Sequence, residues 1–163
     1  MKQLWAPWRM AYIDDDAKEA GCIFCTKYRH RDLKAGLVLA HNRHSVVMMN
    51  KYPYNNGHLL IAPKRHENNL ANLPSEEFVD LSEALRRAAS VVSKVFNPAG
   101  LNVGMNLGKC AGAGIDDHLH WHIVPRWEGD TNFMPVIGET RVMPQHLLDS
   151  YDRLQPHFQN LLA

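Results

Sequence analysis

Several features that define whole classes of protein are missing from this sequence. No stretch of its 163 residues approaches the roughly 18 consecutive apolar residues of a membrane-spanning helix. The opening Met1-Lys2-Gln3-Leu4-Trp5-Ala6-Pro7 has no apolar core of a secretion signal. Neither sign of charge dominates: 18 Lys and Arg stand against 17 Asp and Glu, a formal net charge of +1. That balance excludes an electrostatic carpet for nucleic acid or an anionic membrane, and it leaves room for a compact anionic ligand. Cysteine is scarce, with Cys22, Cys25 and Cys110 the three present, too few and too odd a set for a disulfide framework. There is no internal repeat and no low-complexity run. These absences predict a cytoplasmic protein whose partners include neither nucleic acid nor membrane. What is present is 45% hydrophobic and 21% charged residues, the composition of one folded unit of ordinary size. Histidine is the exception, ten in all.

The chain reads as one central unit with two appendages: an N-terminal extension over 1–20, a domain over 21–126, and a C-terminal extension over 127–163 packing on the same domain. Leu37-Val38-Leu39, Ser45-Val46-Val47-Met48-Met49 and His58-Leu59-Leu60-Ile61-Ala62 are short apolar runs rich in branched residues, and each predicts a strand. Between the last two, Tyr52-Pro53-Tyr54-Asn55-Asn56-Gly57 supplies the fixed and positive φ angles of a reversal. Ser75 is the expected N-cap of a long helix, with Glu76 and Glu77 favourably set against its dipole. Phe78, Leu81, Leu85, Ala88, Val92 and Val95 mark one buried face, and Asn97-Pro98 ends the pattern. Strands from Leu101 to Asn106 and from Leu119 to Val124 complete an α+β fold: about five mostly antiparallel strands packed by a long helix and a shorter one. Trp5, Trp8, Tyr12, Trp127 and Phe133 read as core or interface anchors.

His118-Leu119-His120-Trp121-His122-Ile123-Val124-Pro125 is the most informative stretch. In a strand the three imidazoles share one face, while Leu119, Trp121 and Ile123 enter the opposite layer. Two chemistries suit such a row. Neighbouring histidines, about 6 to 7 Å apart at Cα, can converge on one metal ion, whereas the outer pair, about 13 Å apart, cannot easily share it. Alternatively, the central His120 is a nucleophile toward phosphorus, largely neutral at cellular pH, with its neighbours orienting and protonating. The preceding loop favours the second. Gly108, Gly112 and Gly114 let backbone N–H groups approach an anion without Cβ obstruction, and Lys109 adds positive charge. Cys110 in this loop reads as a small filler residue. Cys22-Ile23-Phe24-Cys25 holds a tetrahedral ion only if two more ligands come from afar, and otherwise reads as buried or redox-active thiols.

The histidine row ending in Ile-Val-Pro, the loop from Asn106 to Gly114 and the upstream run from Gly57 to His66 together resemble the histidine triad superfamily of nucleotide hydrolases and transferases, over roughly Cys22 to Arg126. A narrower set is similar to its diadenosine tetraphosphate phosphorylase branch: Leu4 to Tyr12, Tyr52-Pro53-Tyr54-Asn55, and Pro125 to Phe133. The resemblance implies that His120 attacks the α-phosphorus of a nucleotide to form a nucleotidyl-histidine. It implies that His122 binds the α-phosphate and helps the leaving group depart. Asn50 matches the position that holds the ribose hydroxyls, where the family more often has Asp, and Asn106, Gly112 and Gly114 fall on the phosphate side.

The acceptor then sets the product. Water makes a hydrolase, and inorganic phosphate makes a phosphorylase releasing ADP and ATP from diadenosine tetraphosphate. Ala113-Gly114-Ile115-Asp116-Asp117 stands where many members carry Gln followed by Ser or Thr, which leaves the phosphate oxygens to backbone N–H groups and agrees with phosphate as acceptor. The resemblance further implies a structural zinc on Cys22, Cys25, His66 and His118, no organic cofactor, an adenine nucleotide substrate, and a homodimer or larger homo-oligomer. The alternatives are a dinucleoside polyphosphate hydrolase, a purine nucleoside phosphoramidase, and a non-catalytic nucleotide-binding protein, the last opposed by the intact His120.

Overall fold

A five-stranded sheet organises the chain in a computed structural model that describes residues 21–130, 143, 145–159 and 161. In chain order the main elements are α1 (Ile23–Thr26), β1 (Val38–His41), β2 (Ser45–Met49), β3 (Leu59–Pro63), α2 (Ser75–Phe96), β4 (Gly100–Met105), β5 (Trp121–Arg126) and α3 (Leu147–Leu154). The strands lie in the order β1-β2-β3-β5-β4, every neighbouring pair antiparallel, so the α+β expectation is met. The extension 1–20, with Trp5, Trp8 and Tyr12, and also Phe133, lies outside the described residues. Among the described residues no helix is long and apolar enough to cross a membrane.

Apolar runs without alternation mean that both sheet faces are covered, and the packing agrees. Val47, Met49, Leu59, Ile61 and Ile123 enter the larger cluster beneath α2 and α3, whereas Val46, Met48, Leu60 and Ala62 enter a smaller one around Phe24. On α2 the buried residues are Leu81, Ala84, Ala88, Val91 and Val92. Phe78, expected on that face, is 39% exposed, so the buried stripe begins a turn later. Pro74 takes the N-cap position and Ser75 is the first helical residue, without a side-chain cap bond. The helix ends where expected, because Asn97 turns into the left-handed region at φ +47° and donates its N–H to Ser93. β1 starts at Val38 rather than Leu37, since Leu37 has φ +58°, outside the strand region, although its carbonyl still accepts from the Met49 N–H of β2.

The larger departure concerns the histidine row. β5 begins at Trp121, so of the three imidazoles only His122 belongs to a strand. Ahead of the strand, backbone groups are taken by other partners: the Leu119 N–H goes to the Glu67 carbonyl, and the His118 carbonyl accepts from the His120 ring. The alternation survives all the same. Trp121 and Ile123 face the larger cluster, and His122 pairs across to Leu60 of the smaller one.

Candidate active site

The three imidazoles separate into two systems. His118, 2% exposed, donates from Nε2 to the Pro63 carbonyl at 2.8 Å, which leaves Nδ1 with its lone pair. That Nδ1 faces Cys22 Sγ at 3.2 Å, Cys25 Sγ at 3.6 Å and His66 Nδ1 at 3.2 Å. The one-turn helix α1 sets the two thiols side by side, and the segment after β3 brings His66. All four donor atoms lie within 4.8 Å of one another. Burial, and then the adjacent Cys22, push the Cys25 thiol up to about 11. Burial likewise holds His118 down to about 4 against the pull of the Pro63 carbonyl. Two thiols and two ring nitrogens converging in this way form a donor set suited to a tetrahedral zinc ion, which would favour the thiolates that burial disfavours.

The second system surrounds His120 and His122, whose rings meet edge to face at 4.9 Å. His120, 4% exposed, donates from Nδ1 to the His118 carbonyl at 2.8 Å. Its lone pair is therefore on Nε2, which has no hydrogen-bond partner among the described residues. The Phe24 ring stacks on it at 5.0 Å. Burial lowers the basicity of His120, with the His118 carbonyl opposing.

The tautomer of His122 follows from a chain of donors. The Tyr54 backbone N–H, which can only donate, meets His58 Nδ1 at 3.0 Å, and Asn50 Nδ2 approaches the same atom at 3.3 Å. His58 must then hold its proton on Nε2 and give it to His122 Nδ1 at 2.9 Å. The proton of a neutral His122 consequently sits on Nε2, an atom that is buried and has no hydrogen-bond partner among the described residues. His122 is indeed neutral near pH 7, because burial and then His120 bring it down to about 4.

Asn50 is thus brought beside this pair, its Oδ1 accepting the Tyr52 N–H at 2.9 Å. Asn106, just past β4, reaches the Gly112 carbonyl with Nδ2 at 3.5 Å. The loop behaves differently from expectation. Gly108 and Gly112 adopt φ +82° and +94°, and they close a tight turn in which the N–H groups of Ala111, Gly112 and Ala113 donate to Gly108 and Lys109. These three groups are spent inside the loop and do not splay toward an anion, while Gly114 beyond them is exposed. Lys109 lies 3.8 Å from Asp116 at the surface, and Cys110 is exposed. Sequence reasoning assigned no role to His58, Tyr54 or Phe24. A lone imidazole opening an otherwise apolar strand run was the signal available for His58.

A family model described as HIT domain matches residues 34–129. AP-4-A phosphorylase of Mycobacterium tuberculosis is 37% identical over 157 residues, 92% of this chain and 80% of that protein. A bis(5'-adenosyl)-triphosphatase of Dictyostelium discoideum is 38% identical over 86 residues, 53% of this chain and 57% of that protein. Among solved structures, a Zn-bound histidine triad family protein from Mycobacterium smegmatis has a TM-score of 0.65 at 23% identity, covering 86% of this chain and 95% of that one, a likeness of fold.

Proposed function

Because the chain belongs to the HIT domain family, we propose that it is a nucleotidyl-transfer enzyme that cleaves diadenosine tetraphosphate, or a related nucleoside polyphosphate, with inorganic phosphate as acceptor. One observation supports this above the rest: His120 Nε2 presents a lone pair while His122, its ring 4.9 Å away, carries a proton on Nε2. In the first step His120 Nε2 bonds to the α-phosphorus as the P–O bond to the departing ATP breaks. The His120 Nδ1–H stays on the His118 carbonyl, so the adduct is an imidazolium with its positive charge beside the phosphoryl group. The His122 N–H donates a hydrogen bond to the oxygen on which charge accumulates, and a donor held in place before the reaction costs no reorganisation. In the second step an oxygen of inorganic phosphate bonds to the same phosphorus, the P–N electron pair returns to His120, and ADP leaves with the acceptor's proton released to solvent.

Asn50 is assigned to the ribose hydroxyls and Asn106 and Gly114 to the phosphate side, with Gly112, its N–H turned to Lys109, acting there through the turn it closes and the carbonyl that meets Asn106. Cys22, Cys25, His66 and His118 are assigned to a zinc ion, which when bound supplies a structural cross-link between α1, the segment after β3 and the base of the His120 loop. The free edge of β4, where Val103 is 47% exposed, suits a homodimer formed by extending the sheet.

The similarity to a bis(5'-adenosyl)-triphosphatase supports a second reading in which water is the acceptor. Product analysis separates the two. ADP plus ATP, formed only when phosphate is supplied, is expected, whereas AMP plus ATP without phosphate establishes the hydrolase. His120→Ala is expected to lose turnover by about 10³-fold or more. Quenching the parent enzyme at alkaline pH, where a P–N bond persists, is expected to leave an adenylyl group on His120 by mass spectrometry. Undiminished turnover in His120→Ala would sink the proposal.

A further inference from the structure

The turn that sets the His58 tautomer is not held by its flanking strands alone. Asn55 ties it to the end of β5 through the Pro125 carbonyl at 3.1 Å. Asn56 ties it to a part of the chain 94 residues away, accepting from the Ser150 hydroxyl on α3 at 2.9 Å. Both partners are buried, Asn56 at 7% and Ser150 at 0% exposure. α3 is itself firmly seated, since Tyr151 donates from its hydroxyl to the Val38 carbonyl at 2.8 Å, and Leu154 lies in the larger cluster. A buried polar pair gives less net stabilisation than well-packed apolar groups would, but it restricts how the elements it joins align, and Asn56 at 2.9 Å is the nearer acceptor for the Ser150 hydroxyl than the His146 carbonyl of its own helix at 3.3 Å. The element aligned here carries Tyr54, whose N–H makes His58 Nδ1 an acceptor and whose ring lies 4.7 Å from His58 and 5.8 Å from His122. If that N–H drifts away, only the longer Asn50 Nδ2 contact at 3.3 Å still favours a bare Nδ1, and a fraction of His58 takes its proton there. His122 must then turn its own proton inward to His58 Nε2, and the N–H offered to the substrate disappears.

We propose that Ser150 and Asn56 are positioning residues: through their hydrogen bond, helix α3 fixes the turn that sets the His58 and His122 tautomers, and so keeps the His122 N–H directed at the departing oxygen. This rests on the reading of His120 as nucleophile and His122 as donor.

The test uses two esters of AMP, one with p-nitrophenol and one with phenol, compared by kcat/KM at fixed phosphate. A hydrogen bond to the departing oxygen matters more the more basic that oxygen is, so its loss penalises the phenyl ester selectively. A merely structural defect lowers both esters alike. Ser150→Ala is expected to lower kcat/KM for the phenyl ester about 10-fold and for the p-nitrophenyl ester by less than about 2-fold. Should Ser150→Ala not fold, Ser150→Cys preserves the side-chain volume with a weaker donor, and the same selective loss is expected at smaller amplitude. Lys34→Ala, which removes the exposed ion pair to Asp152 on α3 at 2.6 Å and the ammonium 6.0 Å from the Tyr151 ring but leaves the Ser150–Asn56 bond in place, is expected to leave the ratio between the esters at the parent value. An equal fall on both esters, or no fall on either in a folded Ser150 variant, overturns the inference. Turnover of both esters surviving His120→Ala instead overturns the reading beneath it.

Discussion

Among individual residues, the site's properties come from histidines kept neutral by burial. His122 is held down to about 4, by burial first and then by His120, from an ordinary imidazole value of 6.5. His120 and His118 are lowered in the same direction. In the unfolded chain these rings take up protons as pH falls through the ordinary value, while in the folded protein they do not. Between about pH 6.5 and 4 the unfolded state therefore binds more protons, and stability falls as pH falls. Above that window both states are neutral and these groups contribute no pH dependence. The melting temperature, followed with chelator present so that metal release plays no part, is expected to be flat from pH 8 to 7 and to drop steadily from about 6.5 to 5. A melting temperature unchanged over that lower range contradicts the assignment. The same neutrality suits the chemistry, since a nucleophilic imidazole must be unprotonated.

At the level of elements, two backbone positions matter because of the conformation they must adopt. Gly57 closes the turn before His58 at φ +74°, and a Cβ placed there would lie 2.7 Å from Cε2 of Phe96. The Arg153 guanidinium covers the Phe96 ring at 4.9 Å, so a shift of the ring also disturbs that contact. Gly57→Ala combines left-handed strain with overpacking and is expected to cost about 2 to 4 kcal/mol, read as a lower urea midpoint. Asn97 ends α2 at φ +47°. Asn97→Gly is expected to be as stable as the parent or better by up to about 0.5 kcal/mol, and Asn97→Val to lose about 1 kcal/mol. An equal response to Gly and Val would show that the cap conformation does not govern this helix end.

For the whole molecule, the four-residue donor cluster joins segments far apart in sequence, Cys22 to His118 spanning 96 residues. An ion bound there closes a long loop and stabilises the folded state according to its free concentration. At a hundred times its dissociation constant the gain is about 2.7 kcal/mol. Purified protein is expected to hold one zinc per chain by elemental analysis and to melt at lower temperature after chelation. Cys25→Ser should remove both effects. Stoichiometric zinc retained by Cys25→Ser, or a melting temperature indifferent to chelator, argues against the assigned ligands.

The layered α+β architecture is legible in the order of residues, because apolar runs without alternation require a sheet covered on both faces, and a helix stripe at three-and-four spacing supplies one cover. The sequence also singled out the histidine row as the candidate site, but not His58 or Tyr54 beside it, nor that the loop N–H groups of residues 111–113 turn back into the loop. Tertiary structure alone decided how the imidazoles divide. Local periodicity places His118, His120 and His122 on one face, and the His120 proton is fixed locally by the His118 carbonyl two residues away. The partners that turn His118 to the cysteines and fix the proton of His122 come instead from Pro63, Tyr54 and His58, neighbours chosen by packing between distant segments, which no short window of sequence encodes.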